Sequence, residues 1–245
     1  MNKTAIIIPS RLDAKRLPNK PLKLINNKEM ILHVYEAAKK SNAGEVYVAT
    51  PDKAIFELVS NYGGKAVLSS ETHNTGTDRV FEVFKNTLNG LPNIIVNLQG
   101  DMPNIESKII KNLINYMQQG KCEVGTLASE IKNKFELEDE NIVKVSVKEK
   151  LKEGFFSEAL DFLRVNPGKD LKTYHHVGIY AFTSNALTKY VSLKRSKLEL
   201  NRKLEQLRAM ENGMSIHVGY INSSPLSVDT EKDLFRIKKL MERNE

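Results

Sequence analysis

The residues best able to do chemistry gather in a few short stretches. The first, IIIPSRLDAKRLPNKPL (Ile6 to Leu22), carries an apolar run straight into Arg11, Lys15, Arg16 and Lys20, with Pro9 and Pro18 stiffening the path. It has neither the glycine-rich Walker pattern nor the dinucleotide fingerprint, so it would hold an anion with side chains rather than a backbone cradle. Arginine offers phosphate oxygens a bidentate fork and lysine a mobile point charge. The bland alternative is a solvated loop, the usual fate of charged residues after a strand. Asp101 follows the apolar run NIIVNLQ, with Gly100 before it allowing close backbone approach. A carboxylate there suits a hard cation such as magnesium, although Pro103 and a helix from about Ile105 equally suit a helix N-cap. Asp229 poses the same choice, but in PLSVDTEKDL the capping pair is Thr230 with Asp233, which leaves Asp229 free. Two carboxylates from distant strand ends can share magnesium ions.

A further group lies in the second half. Alternation along YHHVGIYAF puts Val177, Ile179 and Ala181 on a core face and His176 with Tyr180 on the other, either side of Gly178. They read either as a shelf for a polar ligand or as satisfied structural groups. Leu200, just ahead of KLEQLRAM, forms an apolar helical stripe with Leu204 and Leu207 in it, and Glu205 and Arg208 either pair with each other on the surface or meet a ligand.

The elements that position these residues follow from periodicity. TAIII, EVYVAT, KAVLS and NIIVNLQ are short, β-branched runs bounded by Gly, Pro or polar residues, which read as strands buried on both faces. MILHVYEAAKK, AIFELVSNYGG and DRVFEVFKNTL between them carry helical apolar stripes. Strand and helix alternating through short joints predict a parallel sheet wrapped by helices over the first ~120 residues. In such sheets ligands bind beyond the carboxyl ends of the strands, so the loops SRLDAKRLPNKPL, SSETHNTGTDR and QGDMP should meet there. The second half reads as a mixed sheet with an antiparallel arm: CEVGTLASE, NIVKVSV, TYHHVGIYAF and SIHVGYI as strands, SNALTKYV and KLEQLRAME as helices. TEKDLFRIKKLMER is a final amphipathic helix, and Gly154 to Lys172 is expected to be an irregular, mobile loop.

Composition narrows the function classes. The 245 residues, 40% of them hydrophobic, suffice for a substantial core. No apolar run approaches the ~20 residues of a membrane span, and the N-terminus lacks a signal-peptide core, which together place the chain in the cytoplasm. The single cysteine, Cys122, forms no internal disulfide and reads as a small buried residue. Lys and Arg outnumber Asp and Glu 37 to 30, a net charge of +7. That excess is dispersed, without the basic and aromatic stripe of single-strand binders, and favours a small anion over nucleic acid.

In order along the chain, SRLDAKRLPNKPL, HNTGTDR, VNLQGDMP, HVGIYAF, LEQLRAME and SVDTEKDL resemble the signatures of the 3-deoxy-manno-octulosonate cytidylyltransferases, the CMP-Kdo synthetases. CMP-sialic acid synthetases share the first loop and diverge later. The resemblance implies a Rossmann-like α/β nucleotidyltransferase fold over residues 1–245, mainly parallel and wrapped by helices. It further implies that about residues 130–215 form a sugar-binding subregion with an antiparallel arm that makes a homodimer. It implies the reaction of CTP with Kdo to give CMP-Kdo and diphosphate, with Mg2+, for lipopolysaccharide assembly. Arg11 and Lys20 would grip the triphosphate, Ser10 and Arg79 would help place the nucleotide, and Asp101 and Asp229 would hold metal. Gln99, His176, Tyr180, Glu205 and Gln206 would line the sugar pocket. Arg11, Lys20 and Asp101 are the catalytic set on this reading.

The chain departs from the family pattern in three places. Asn19 replaces a glycine, and asparagine tolerates the same left-handed backbone. Met102 replaces a glutamate beside Asp101, and Glu158 in FFSEA stands where a sugar-binding arginine is expected. Three explanations of Glu158 are open: Arg164 substitutes, the substrate is another acidic sugar such as 8-amino-Kdo or a nonulosonate, or the chain is an inactive nucleotide-binding paralogue.

Overall fold

The computed structural model describes residues 3–165 and 172–242. The chain divides into two compact units, one of residues up to 114 plus those from 225 onward, the other of residues 115–224.

In the first unit, β1 (Thr4–Pro9) leads through the charged loop and a single 3-10 turn at Lys20–Leu22 into the hairpin of β2 (Leu24–Ile25) and β3 (Lys28–Glu29). Asn26 and Asn27 turn that hairpin with φ of 47° and 60°, the geometry that suits the twist of two paired strands. Then follow α1 (Met30–Lys40), β4 (Glu45–Thr50), α2 (Lys53–Asn61) and β5 (Ala66–Leu68). α3 (Gly76–Glu82), β6 (Ile94–Leu98) and α4 (Ser107–Gln118) complete the series, with the unit boundary falling inside α4. The strand order is β5-β4-β1-β6, all parallel, with Ile7 of β1 level with Tyr47 on one side and Asn97 on the other. β1 and β6 are buried almost throughout, as unbroken β-branched runs require. The predicted strands and helices of this half thus form, α1 over its whole expected length, but β5 is not buried on both faces as expected: it ends the strand order and leaves Leu68 exposed.

The C-terminal helix Glu231–Glu242 returns to this unit. Its Leu234 and Ile237 join Leu17, Ile25, Met30 and Val228 in a core cluster, with Met241 packed against it. Leu17, fully buried, therefore anchors the otherwise polar first loop.

In the second unit, β7 (Val124–Ser129), α5 (Lys134–Glu138), β8 (Lys144–Val147) and β9 (Phe156–Leu163) precede the long β10 (Thr173–Thr183). After it come α6 (Ser184–Ser192), α7 (Lys197–Arg202), α8 (Leu207–Glu211) and β11 (Ile216–Tyr220), ahead of the C-terminal helix, α9. The order is β10-β7-β11-β9-β8, and β8 pairs back with the start of β10, so the pairings close a ring. Only β11 with β7 is parallel among the pairs of this unit; the others, such as β10 with β7 and β8 with β9, are antiparallel. The parallel character expected of the sheet therefore holds for the first unit, and the second is mixed.

Two expectations are corrected here. Phe156–Leu163, read from sequence as irregular loop, is strand β9, because Ser157, Ala159 and Phe162 are buried while it pairs with β8 and β11. The remainder of that stretch includes residues 166–171, which lie outside the described residues. KLEQLRAME is helical only from Leu207, where α8 begins; Lys203, in a left-handed conformation (φ 55°), ends α7 before it. Leu204 and Leu207 are buried, while Leu200 faces solvent. Among the described residues no helix is long and apolar enough to cross a membrane.

Candidate active site

The carboxyl ends of β1 and β6 open onto a cleft of about 420 Å³ lined by the first loop, by His73 to Gly76 with Arg79, by Gln99 to Asp101, and by Asp229. The loop's path is set by its own backbone. Ser10 N–H donates to the Ala49 carbonyl (2.9 Å) and Leu12 N–H to the Asp52 carboxylate (2.9 Å). The Leu12 carbonyl then accepts from Ala14 (2.8 Å) and Asn19 (3.3 Å), which curls the loop over the buried Leu17. Asn19, at φ 56°, reverses the chain into the Lys20–Leu22 turn, so the left-handed geometry expected where the family carries glycine is present. On the β6 side, a Cβ added at Gly100 would lie 3.1 Å from Ile31 Cδ1, which is why that turn is tight enough to bring Asp101 over the sheet.

The central feature is a charge cluster. Lys20 Nζ lies 2.9 Å from Asp101 Oδ2 and 3.1 Å from Asp229 Oδ1, and Arg16 reaches Asp229 Oδ2 at 3.0 Å. Burial lowers the Lys20 pKa, but the two carboxylates outweigh it and hold the ammonium above the ordinary lysine range. Asp101 does not cap α4, which begins six residues later at Ser107; its carboxylate points to Lys20. Thr230 and Asp233 form the reciprocal cap of α9: Asp233 N–H donates to Thr230 Oγ1 (3.2 Å), and Thr230 N–H to Asp233 Oδ2 (2.9 Å). Asp229 is thereby released into the cleft, as its sequence context predicts. Its segment is pinned by the Val228 N–H donating to the Asp101 carbonyl (2.9 Å) and the Leu226 N–H to Asn104 Oδ1 (2.9 Å).

The other residues expected to place the nucleotide line the same cleft. The Ser10 hydroxyl is buried and has no hydrogen-bond partner among the described residues. Arg11 is exposed at the mouth. Arg79 is buried in α3 and donates to the Ser69 hydroxyl and the Ser70 carbonyl (2.9 Å). Burial and then the nearby Arg11 charge pull its pKa down. Gln99, expected with the sugar set, lines this cleft too, and its Nε2 donates to Asn97 Oδ1 (3.0 Å). Asn97 in turn donates to Thr77 Oγ1 (3.1 Å). Sequence reasoning passed over Asn97, although a polar residue in the middle of NIIVNLQ signals a buried group in need of partners. It also passed over His73, which meets the Glu82 carboxylate that receives Ser70 N–H (2.9 Å), fixing the loop ahead of α3.

The remaining sugar-set residues lie in the second unit. His176 and Tyr180 do stand together, with ring centroids 5.4 Å apart, and Phe162 meets the His176 ring edge-on at 5.1 Å. A register shift between Val177 and Tyr180 interrupts simple alternation, and both sides of β10 are largely buried. His176 Nε2 is 3.0 Å from Thr126 Oγ1. Burial, with a lesser push from His175, lowers its pKa to about 3. The Tyr180 hydroxyl is buried without a hydrogen-bond partner among the described residues, and burial followed by the Glu205 charge raises its pKa well above 10. Gln206 is buried, and the Glu205 carbonyl accepts from Tyr190 Oη (2.8 Å). Arg208 is buried rather than on the surface, and its Nε and Nη2 reach the buried Glu199 at 2.9 and 2.7 Å. Met102 is a core residue. Glu158 faces Lys148 at 3.8 Å, and Arg164 donates to the carbonyls of Arg202 (3.3 Å) and Glu140 (3.1 Å). Cys122 is buried against Met117, with its thiol pushed up to about 12.

A parallel sheet whose strand ends carry a basic loop opposite two carboxylates is the layout of a nucleotidyltransferase, and residues 5–216 match the cytidylyltransferase family. The chain is 40% identical over 238 residues to the 3-deoxy-manno-octulosonate cytidylyltransferase of Bartonella henselae, covering 96% of this chain and 97% of that one. It is also 40% identical over 239 residues to the enzyme of that name from Paramagnetospirillum magneticum, covering 96% of each. A solved CMP:2-keto-3-deoxy-manno-octonic acid synthetase, complexed with CTP, superposes with a TM-score of 0.90 at 34% identity, covering 99% of this chain and all of the other. This chain belongs to the 3-deoxy-manno-octulosonate cytidylyltransferase family.

Proposed function

We propose that this chain activates Kdo by transferring a cytidylyl group from CTP, giving CMP-Kdo and diphosphate. The observation that carries this reading is the full-length relationship to cytidylyltransferases of that specificity, on a chain whose cleft gathers Arg11, Lys20, Asp101 and Asp229. The anomeric hydroxyl of the sugar attacks the α-phosphorus, and the bond to the β-phosphate oxygen breaks. Arg11 at the mouth and Lys20 at the floor supply positive charge where the departing diphosphate gains negative charge. The unpartnered Ser10 hydroxyl and the anchored Arg79 orient the nucleotide, and Gln99 is held against Asn97 beside them. Of the residues in the second unit, His176, Tyr180, Glu205 and Gln206 are the proposed sugar contacts, and what supports Tyr180 is its buried, unpartnered hydroxyl.

The cleft fits a divalent metal. Two carboxylate oxygens converge on one ammonium, so a cation already belongs at that point, and both donors are hard oxygens. Among the described residues no three His, Cys, Asp or Glu side chains gather to hold a metal by themselves, which leaves further positions to phosphate and water. Bound by Asp101 and Asp229, Mg2+ would neutralise the triphosphate and stabilise the departing diphosphate. A cytoplasmic homodimer joined through the second unit completes the proposal; exposed Phe135, Leu160, Val165 and Leu200 support an interface there.

The test is diphosphate release from CTP with Kdo, 8-amino-Kdo and a nonulosonate in parallel. Release with Kdo at the highest kcat/KM is expected. Turnover confined to an amino sugar would overturn the assignment and give Glu158 a direct role.

A further inference from the structure

The position of Lys20 has a consequence beyond gripping phosphate. Its ammonium bridges two carboxylates that come from 81 and 209 residues along the chain, each within 3.1 Å. The bridge is built rather than incidental. Asn19 in the left-handed region and the 3-10 turn fix where the side chain leaves the backbone, and buried Pro21 and Leu17 hold the turn down from either side. The Val228 N–H to Asp101 carbonyl bond fixes the separation of the two acidic segments. Arg16 covers the second oxygen of Asp229, so both negative charges are already matched by cations of one loop.

We infer that Lys20 is the resident counter-ion of the metal site: in the nucleotide-free protein its ammonium holds the place between Asp101 and Asp229 that the divalent metal takes when nucleotide binds. The inference rests on the reading of those two residues as metal ligands. A metal arriving alone must evict the ammonium from two charge-assisted hydrogen bonds into a cleft that also holds Arg11 and Arg79. A triphosphate gives the displaced lysine new anionic partners in the same cleft, so the exchange becomes favourable only when nucleotide and metal come together. Reciprocity then requires that each tighten the other. Without metal or nucleotide, the same ammonium keeps the two carboxylates from repelling one another.

The experiment is a nucleotide-free titration of the full chain with Mn2+, read as loss of the free-ion electron paramagnetic resonance signal, alongside melting curves with Mn2+ and with chelator. Lys20→Met should bind Mn2+ roughly tenfold or more tightly than the wild type, because a competing positive charge has gone. It should also melt lower in chelator and recover with Mn2+ by more than the wild type does. Lys20→Arg, which keeps the charge, should stay near wild-type affinity, and Lys20→Gln should follow Lys20→Met, so that the conclusion survives if one variant folds poorly. Mn2+ affinity in the neutral variants equal to or weaker than wild type overturns the counter-ion role. Adding Asp101→Asn to Lys20→Met should abolish the gain. If the double variant binds as tightly as Lys20→Met, the metal assignment itself fails, and the counter-ion role with it.

Discussion

Burial of a neutral histidine makes this protein sensitive to acid in a way that one substitution can isolate. The Thr126 hydroxyl has a single proton, and its shortest contact is to the Ile179 carbonyl at 2.7 Å. His176 Nε2, 3.0 Å from the same oxygen, is therefore the protonated nitrogen and donates to it. A second proton, on Nδ1, would charge a ring enclosed by Phe162 and Tyr180, which is why the folded pKa falls from 6.5 to about 3. The sign follows from proton counting. Below pH 6.5 the unfolded chain takes up a proton that the fold refuses, so stability is lost as pH falls, until the fold also protonates near 3. At pH 5 the loss from this one group is about 2 kcal/mol. Carboxylates and His175 add their own pH dependence, which a variant subtracts. His176→Phe keeps the edge-on packing, and Thr126 retains its bond to Ile179. Urea unfolding at pH 7 and pH 5 should show the wild type losing about 2 kcal/mol more than His176→Phe between the two. Equal losses would mean that His176 is charged or solvated in the fold.

Two further outcomes test how the site is built. Leu17→Ala should cost about 2–5 kcal/mol by opening a cavity in a fully closed cluster. It should also raise the KM for CTP in the folded fraction, since Lys20 and Asp229 both hang from that cluster; melting curves and initial rates check the two effects. Arg208→Met strands the buried Glu199 carboxylate with only Arg195 and the Ser196 N–H as partners and should cost about 3 kcal/mol, whereas Glu199→Leu with Arg208→Met should recover most of that, as chemical denaturation can measure.

What the sequence disclosed follows from how local each signal is. β1, β4 and β6 announce themselves because strands buried on both faces are apolar at most positions, with Asn97 the polar exception inside β6. The release of Asp229 was equally legible, because a helix needs one cap and Thr230 with Asp233 already provide it. β9 was hidden because its outward residues, Glu158, Leu160 and Asp161, break any apolar alternation, and only its pairing with β8 and β11 makes it a strand. The break at Lys203 carries no glycine or proline to mark it. Once α7 and α8 separate, Arg208 reaches Glu199 nine residues back, a pairing that no helical spacing suggests.

The charges of the first cleft divide into two kinds, and under the proposed function each has its part in binding a polyphosphate. Lys20 and Arg16 are spoken for by Asp101 and Asp229. Arg11 and Arg79 belong to neither carboxylate: burial and then the Arg11 charge pull the pKa of Arg79 down, while Glu82 and Asp52 push it part of the way back. A single carboxylate could meet Arg11, but it could not also recruit Lys20, which already has two carboxylates of its own. Under the proposed function a triphosphate would span both groups, meeting Arg11 and Arg79 at one end and offering Lys20 new partners at the other. The net +7 of the chain thus has a local meaning in one exposed cation, Arg11, at the mouth and internally balanced ones at the floor. Raising ionic strength should accordingly weaken CTP binding mainly through the exposed Arg11, and Arg11→Met should flatten that salt dependence, because buried pairs are screened far less than exposed charges.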